Sequence, residues 1–136
     1  MKHIAFLFAL VMLLGACKKD SDAPGNVGGG LQPVYLEGEW RLVLVEGGFS
    51  PNTPYTDEVI WLIEQDQINV QIADGTALNA NVPFQSAGVY PFQESPDDAL
   101  ILSGSAFNMS LSSTNLVLEN NLAADGIRMT FERAAE

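Results

Sequence analysis

The sequence predicts an all-β domain, and in particular an eight-stranded antiparallel up-and-down barrel. Eight short segments rich in β-branched, aromatic and leucine residues recur at near-regular spacing between residues 34 and 136. Several of these segments alternate apolar and polar residues with the period of a strand, and no segment of ten or more residues repeats with the period of a helix. Closing the strands into a barrel removes exposed edges. A two-sheet β-sandwich produces the same strand pattern and stays open as the alternative.

The connections between the predicted strands are mostly short, which makes consecutive strands antiparallel neighbours. The strands are expected at residues 39–46, 59–63, 68–72, 84–92, 100–102, 107–111, 116–118 and 127–131. Gly47 and Gly48 open a long first loop, and Asp74-Gly75 begins a turn that extends to Pro83. Pro91 marks an end or an irregularity of the fourth strand, because proline cannot donate a hydrogen bond to a neighbouring strand.

One face of each strand is expected to form the core. The predicted core residues are Trp40, Leu42, Leu44, Ile68, Val70, Ile72, Phe107, Met109, Leu111, Leu116, Leu118, Ile127, Met129 and Phe131. Their neighbours Asn69, Gln71, Asn108, Ser110 and Arg128 are expected to face solvent. An error of one residue in register would invert each set.

The N-terminal residues predict an export signal rather than part of the domain. A positive start at Lys2 precedes an unbroken apolar run from Ile4 to Leu14, which has the length of a signal-peptide core and is too short to span a membrane. The run ends at Leu14-Gly15-Ala16-Cys17, which resembles the lipobox of bacterial lipoproteins. A buried core helix and a secretory signal without lipidation are the alternatives.

The lipoprotein resemblance implies that residues 1–16 are removed and that Cys17 carries the lipid anchor. Cys17 is the only cysteine, and lipidation explains an odd cysteine in an exported protein. Residues 17–33 are rich in glycine and polar residues and are interpreted as a flexible tether, followed by one domain at residues 34–136. Lys18, rather than an aspartate, follows the cysteine and favours the outer membrane of a bacterial envelope, facing the periplasm or the cell surface.

The first and last predicted strands resemble those of lipocalins and their bacterial lipocalin-like relatives. The segment Leu36-Glu37-Gly38-Glu39-Trp40 contains a Gly-x-Trp signature, and Phe131-Glu132-Arg133 is similar to the closing strand of the family. The resemblance also covers the strand count and the long first loop, but no second or third lipocalin motif. It implies a barrel end closed by Arg133 lying over Trp40.

The residue types of the domain exclude several kinds of chemistry. Residues 34–136 contain no His, Cys or Lys, which excludes His-based catalytic triads, His/Cys zinc sites and Schiff-base chemistry. The same residues include three arginines and fifteen acidic residues, so their net charge is −12. This negative charge disfavours nucleic-acid binding. We therefore expect no enzyme activity, no cofactor and no metal site.

Two binding functions remain open. In the first, a membrane-anchored, non-catalytic barrel holds an apolar or glycan-like ligand at its mouth. The longer loops lie at the end opposite Trp40, so Phe49, Tyr55, Asp74 and Asn79 are the predicted ligand-binding residues. In the second, a filled barrel acts as a protein-interaction or inhibitor module for a cationic partner such as lysozyme. An interior void above roughly 300 Å³ would favour the first function.

Overall fold

The computed structural model describes residues 34–135, which form a closed antiparallel β-barrel. Its strands are β1 (Gly38–Gly47), β2 (Thr53–Pro54), β3 (Val59–Glu64), β4 (Gln67–Ile72), β5 (Gly88–Ser95), β6 (Ala99–Leu102), β7 (Ser105–Leu111), β8 (Asn115–Asn120) and β9 (Ile127–Arg133). Eight strands follow one another around the ring, and β9 closes it against β1, while β2 lies outside the ring beside β1. The predicted up-and-down barrel is therefore confirmed over the sandwich. The signal, the lipobox with Cys17 and the tether lie outside the described residues.

The interior of the barrel is built from large apolar side chains, as the alternation predicted. Ten of the predicted core residues are buried, namely Trp40, Leu42, Ile68, Val70, Phe107, Leu116, Leu118, Ile127, Met129 and Phe131. Three others, Ile72, Met109 and Leu111, are half-buried and pack against the core. Asn69, Gln71, Asn108 and Ser110 are exposed and Arg128 is half-exposed, so the predicted register of these strands is confirmed.

The prediction for Leu44 was wrong, because β1 contains an irregularity between Leu42 and Leu44. Leu42 pairs with Phe131 and Leu44 with Thr130, so one residue of β1 is left without a partner on β9. A bulge of this kind shifts the alternation of all the following residues to the other face. Val45 is consequently fully buried, whereas Leu44 is only half-buried.

The wall of the barrel changes pairing partners within β5. Residues 88–91 of β5 pair with β4, whereas residues 92–95 pair with β6. The β6–β7 hairpin turns at Ser103 and Gly104 and so does not extend along the first half of β5. The predicted strand at 84–92 accordingly begins only at Gly88, and Phe84 lies in the preceding loop with its side chain buried.

In the described part of the chain, no helix is long and apolar enough to cross a membrane.

Candidate functional site

The short-loop end of the barrel is closed by Arg133 over Trp40. The guanidinium carbon of Arg133 lies 4.1 Å from the centroid of the Trp40 ring, within the range of a cation–π interaction. The indole Nε1–H of Trp40 donates to the carbonyl of Leu36 at 2.8 Å. The same guanidinium donates to three backbone carbonyls, those of Tyr35, Glu37 and Ser113. These contacts join the chain before β1, the β7–β8 turn and the end of β9.

Gly38 is part of the same closure, for a steric reason. Its φ is +129°, and a Cβ atom at this position would lie 2.5 Å from Nη1 of Arg133. Only glycine combines that backbone angle with so close an approach. The Gly-x-Trp pattern therefore has a physical basis in this chain: the glycine makes room for the cation that covers the tryptophan.

The long-loop end is also closed, by the β4–β5 loop (residues 73–87). Val82 and Phe84 of this loop are only 3% and 2% exposed. The Phe84 ring contacts the core at Trp61, with 5.2 Å between the ring centroids, and stacks on Tyr90 at 4.2 Å. The loop thus covers the side where the β6–β7 hairpin is short, and it fills the predicted ligand mouth.

Two of the predicted ligand residues are used to hold this loop in place. The hydroxyl of Tyr55 accepts a hydrogen bond from the backbone N–H of Asn79 at 2.8 Å. The Asn79 side chain accepts from the N–H of Asn81 and donates to the hydroxyl of Thr53. Tyr55 and Asn79 are 8% and 5% exposed. Their polar groups form hydrogen bonds inside the fold, as buried polar groups generally do, and therefore do not face a ligand.

The other two predicted residues lie apart on the surface. Asp74 is exposed and lines, with Tyr55 and Glu58, a depression of about 360 Å³. Phe49 is 90% exposed and is not among the residues that line this depression. The structure therefore does not bring Phe49, Tyr55, Asp74 and Asn79 together in one cavity.

Phe49 projects from a loop that is fastened to the β8–β9 connection. The N–H of Gly48 donates to the carbonyl of Gly126 at 2.9 Å. The β8–β9 connection is itself tightly turned, since the N–H groups of Ala124 and Gly126 both donate to the carbonyl of Asn121. It also carries the exposed apolar side chain of Leu122. We refer to residues 47–50 together with residues 121–126 as the Phe49 tip.

A larger depression, which sequence reasoning missed, lies in the barrel wall around Pro91. We call it the wall depression; its volume is about 640 Å³, and its lining includes Asp66, Phe84, Tyr90, Phe92, Gln93 and Ser103. It occurs where β5 leaves β4 and begins to pair with β6. The signal that could have revealed it is Pro91 itself, since a proline within a strand marks an irregularity in the ladder.

The arginines of the domain are all engaged by other groups. Arg41 pairs with Asp57 at 3.0 Å, and Arg128 contacts Glu119 and, at 3.8 Å, Glu46. The third arginine, Arg133, is held over the indole and by backbone carbonyls. Eleven of the fourteen acidic residues between 34 and 135 have no arginine partner, so the described surface is strongly negative. No three His, Cys, Asp or Glu side chains converge to hold a metal ion between residues 34 and 135.

The chain matches no family model, curated protein or solved structure. The fold rests on the barrel geometry, and the lipocalin and lipoprotein resemblances rest on the sequence motifs given above.

Proposed function

We propose that this protein is a membrane-anchored, non-catalytic protein-binding module that engages a cationic partner protein through the Phe49 tip. The anchor is the lipid on Cys17 that the lipobox resemblance implies. A role as an inhibitor of a cationic enzyme such as lysozyme is one form of this function.

The observation that carries the proposal is the filled barrel with both ends closed. Between residues 34 and 135, twelve large side chains are fully buried, among them Trp40, Trp61 and Phe131. The mouth opposite Trp40, where lipocalin-like proteins are expected to take up a ligand, holds Val82 and Phe84 of the chain itself. A filled barrel acts through its surface, which favours a macromolecular partner over a ligand stored inside.

The Phe49 tip has the features of a protein-binding anchor. An aromatic ring that is 90% exposed gains most of its apolar burial only when a partner covers it. The tip also carries the exposed side chain of Leu122, and backbone hydrogen bonds tie residues 121–126 into a turn and Gly48 to Gly126. A preordered loop loses less conformational entropy on binding, which favours affinity.

Charge defines the chemistry of the partner. With all three arginines engaged, the exposed charge of residues 34–135 that has no ion-pair partner is carried by carboxylates. Such a surface accelerates encounter with a positively charged protein and repels an acidic one. The described chain enters β1 at the Trp40 end of the barrel, and the Phe49 tip lies at the opposite end.

Calorimetric titration with lysozyme, a cationic protein, tests this function. We expect binding that weakens as salt is added, and a loss of about tenfold or more in affinity for Phe49→Ser, as for an interface hot spot. Val89→Ser is the matched control, because Val89 is an exposed apolar side chain on β5 outside the tip. Absence of binding, or equal affinity of the Phe49→Ser variant, would contradict the proposal.

A further inference from the structure

We propose that the wall depression binds a small organic cation with a flat apolar body, such as an arylalkyl ammonium ion. This site is separate from the Phe49 tip, and it does not depend on the protein-binding function.

The depression exists because β4 and the β6–β7 hairpin both end beside the middle of β5. β4 begins at Gln67, so residues 93–95 of β5 lie beyond its end, and Phe92 reaches that side only through the hydrogen bond that its N–H donates to the carbonyl of Asp66 at 3.0 Å. The β6–β7 hairpin turns at Ser103 and Gly104, so residues 88–91 have none on the other side. Inward-facing Tyr90 and Phe92 and outward-facing Gln93 therefore line one opening. Its volume of about 640 Å³ lies in the range of sites for small ligands.

The aromatic wall of the depression is held rigid. The Tyr90 ring stacks on Phe84 with an angle of 14° between the planes. The Tyr90 hydroxyl is hydrogen-bonded to the hydroxyl and the carbonyl of Ser86, at 2.8 and 2.9 Å. Phe84 is fixed in turn by its contact with Trp61 in the core. A ring held in this way offers a flat apolar surface without loss of side-chain entropy when a ligand binds.

The charge of the site selects a cation. Asp66 is the only charged residue that lines the depression, and it has no ion-pair partner among residues 34–135. The polar residues Gln93 and Ser103 also line the opening. An ammonium group attached to an aromatic body can therefore meet the carboxylate while its apolar part covers the aromatic wall, where a cation–π contact adds to the attraction. An anion of the same shape meets repulsion from Asp66 and from the acidic surface.

The test uses the full-length chain carrying Cys17→Ser, labelled with ¹⁵N, and three probes of one shape: 2-phenylethylammonium, 2-phenylethanol and 3-phenylpropionate. Amide chemical shifts are expected to change at Gln93, Ser103 and Gly104. The ammonium probe should bind up to about fivefold more tightly than the alcohol, as for a partly exposed ion pair, and the carboxylate should bind most weakly.

Two variants separate the ionic contribution from the general acidity of the surface. Asp66→Asn should remove the preference for the ammonium over the alcohol, whereas Asp98→Asn should preserve it, because Asp98 is an exposed acid of the β5–β6 turn that does not line the depression. Ile101 also lines the depression, so Ile101→Arg should abolish binding by placing a guanidinium at the wall. A dispersed amide spectrum shows that this variant is folded. Equal binding of ammonium and alcohol, an unchanged preference in Asp66→Asn, or no shifts at the lining amides would each overturn the proposal.

Discussion

The two buried tryptophans provide a sharp test of the energetics of this barrel. Trp40 and Trp61 are direct cross-strand partners on β1 and β3, and both are 0% exposed. Their indole N–H groups differ, since Nε1 of Trp40 donates to the carbonyl of Leu36 at 2.8 Å, whereas Nε1 of Trp61 is buried and finds no acceptor among residues 34–135. Trp40→Phe and Trp61→Phe therefore remove the same atoms from environments of equal burial but unequal hydrogen bonding.

The loss of packing on exchanging indole for phenyl is similar in the two variants, so it largely cancels in the comparison. Trp40→Phe also loses a hydrogen bond of about 1 kcal/mol and part of the attraction to Arg133, of about 0.5–1 kcal/mol. Trp61→Phe instead removes an unsatisfied buried donor, whose burial costs about 1–3 kcal/mol. We expect Trp40→Phe to lower the free energy of unfolding by about 2.5–5 kcal/mol more than Trp61→Phe does.

Urea unfolding followed by the backbone circular dichroism of the strands measures this difference, because each variant is compared through its own folded and unfolded baselines and the linear extrapolation gives the free energy in water. Similar slopes of the two transitions would show that the variants differ in native-state stability and not in the compactness of the unfolded state. Equal destabilisation by the two substitutions, or a greater loss for Trp61→Phe, would refute the reasoning.

Three further changes test other parts of the chain. Val45→Ser should lower the free energy of unfolding by about 2 kcal/mol more than Leu44→Ser, because the bulge in β1 turns Val45 into the core; equal losses in urea unfolding would argue against the bulge. Gly126→Ala should destabilise the fold much more than Gly75→Ala, because a Cβ at Gly126 would overlap the backbone carbonyl of Asn120. Gly75 has open space around it, so Gly75→Ala should cost only about 1–2 kcal/mol for its positive φ; urea unfolding followed by circular dichroism distinguishes the two. Cys17→Ser should release the protein from membranes, and a variant that still carries acyl chains by mass spectrometry and sediments with membranes would disprove the lipobox interpretation.

Because the barrel is filled, both proposed sites, the Phe49 tip and the wall depression, lie on its outer surface rather than inside it. In a hollow barrel the long loops frame a mouth, and their side chains meet the ligand. Here the β4–β5 loop folds inward through Val82 and Phe84, which leaves the Phe49 tip as a projecting surface and the wall depression as the concave one. A convex apolar tip suits a concave partner protein, whereas a depression lined by aromatic rings suits a small molecule.

Local patterns in the sequence determined the fold class and much of the core. The alternation in β4, β7 and β9 predicts which side chains face inward, because successive residues of any strand point to opposite faces. The same parity places Arg133 on the inward face at the end of β9, and the order of strands in a closed meander brings that end beside Trp40. Composition alone excluded His, Cys and Lys chemistry from the domain.

Only the tertiary structure decided the features that depend on which segments lie side by side. The bulge that places Val45 rather than Leu44 in the core is visible only in the pairing of β1 with β9. The alternation of residues along β1 contains no sign of it. The inward position of Phe84 depends on the space that the short β6–β7 hairpin leaves open. Because that hairpin ends beside Pro91, it also creates the wall depression. The period of a strand is a local property, whereas pairing, bulges and loop packing are set by contacts between residues far apart in the chain.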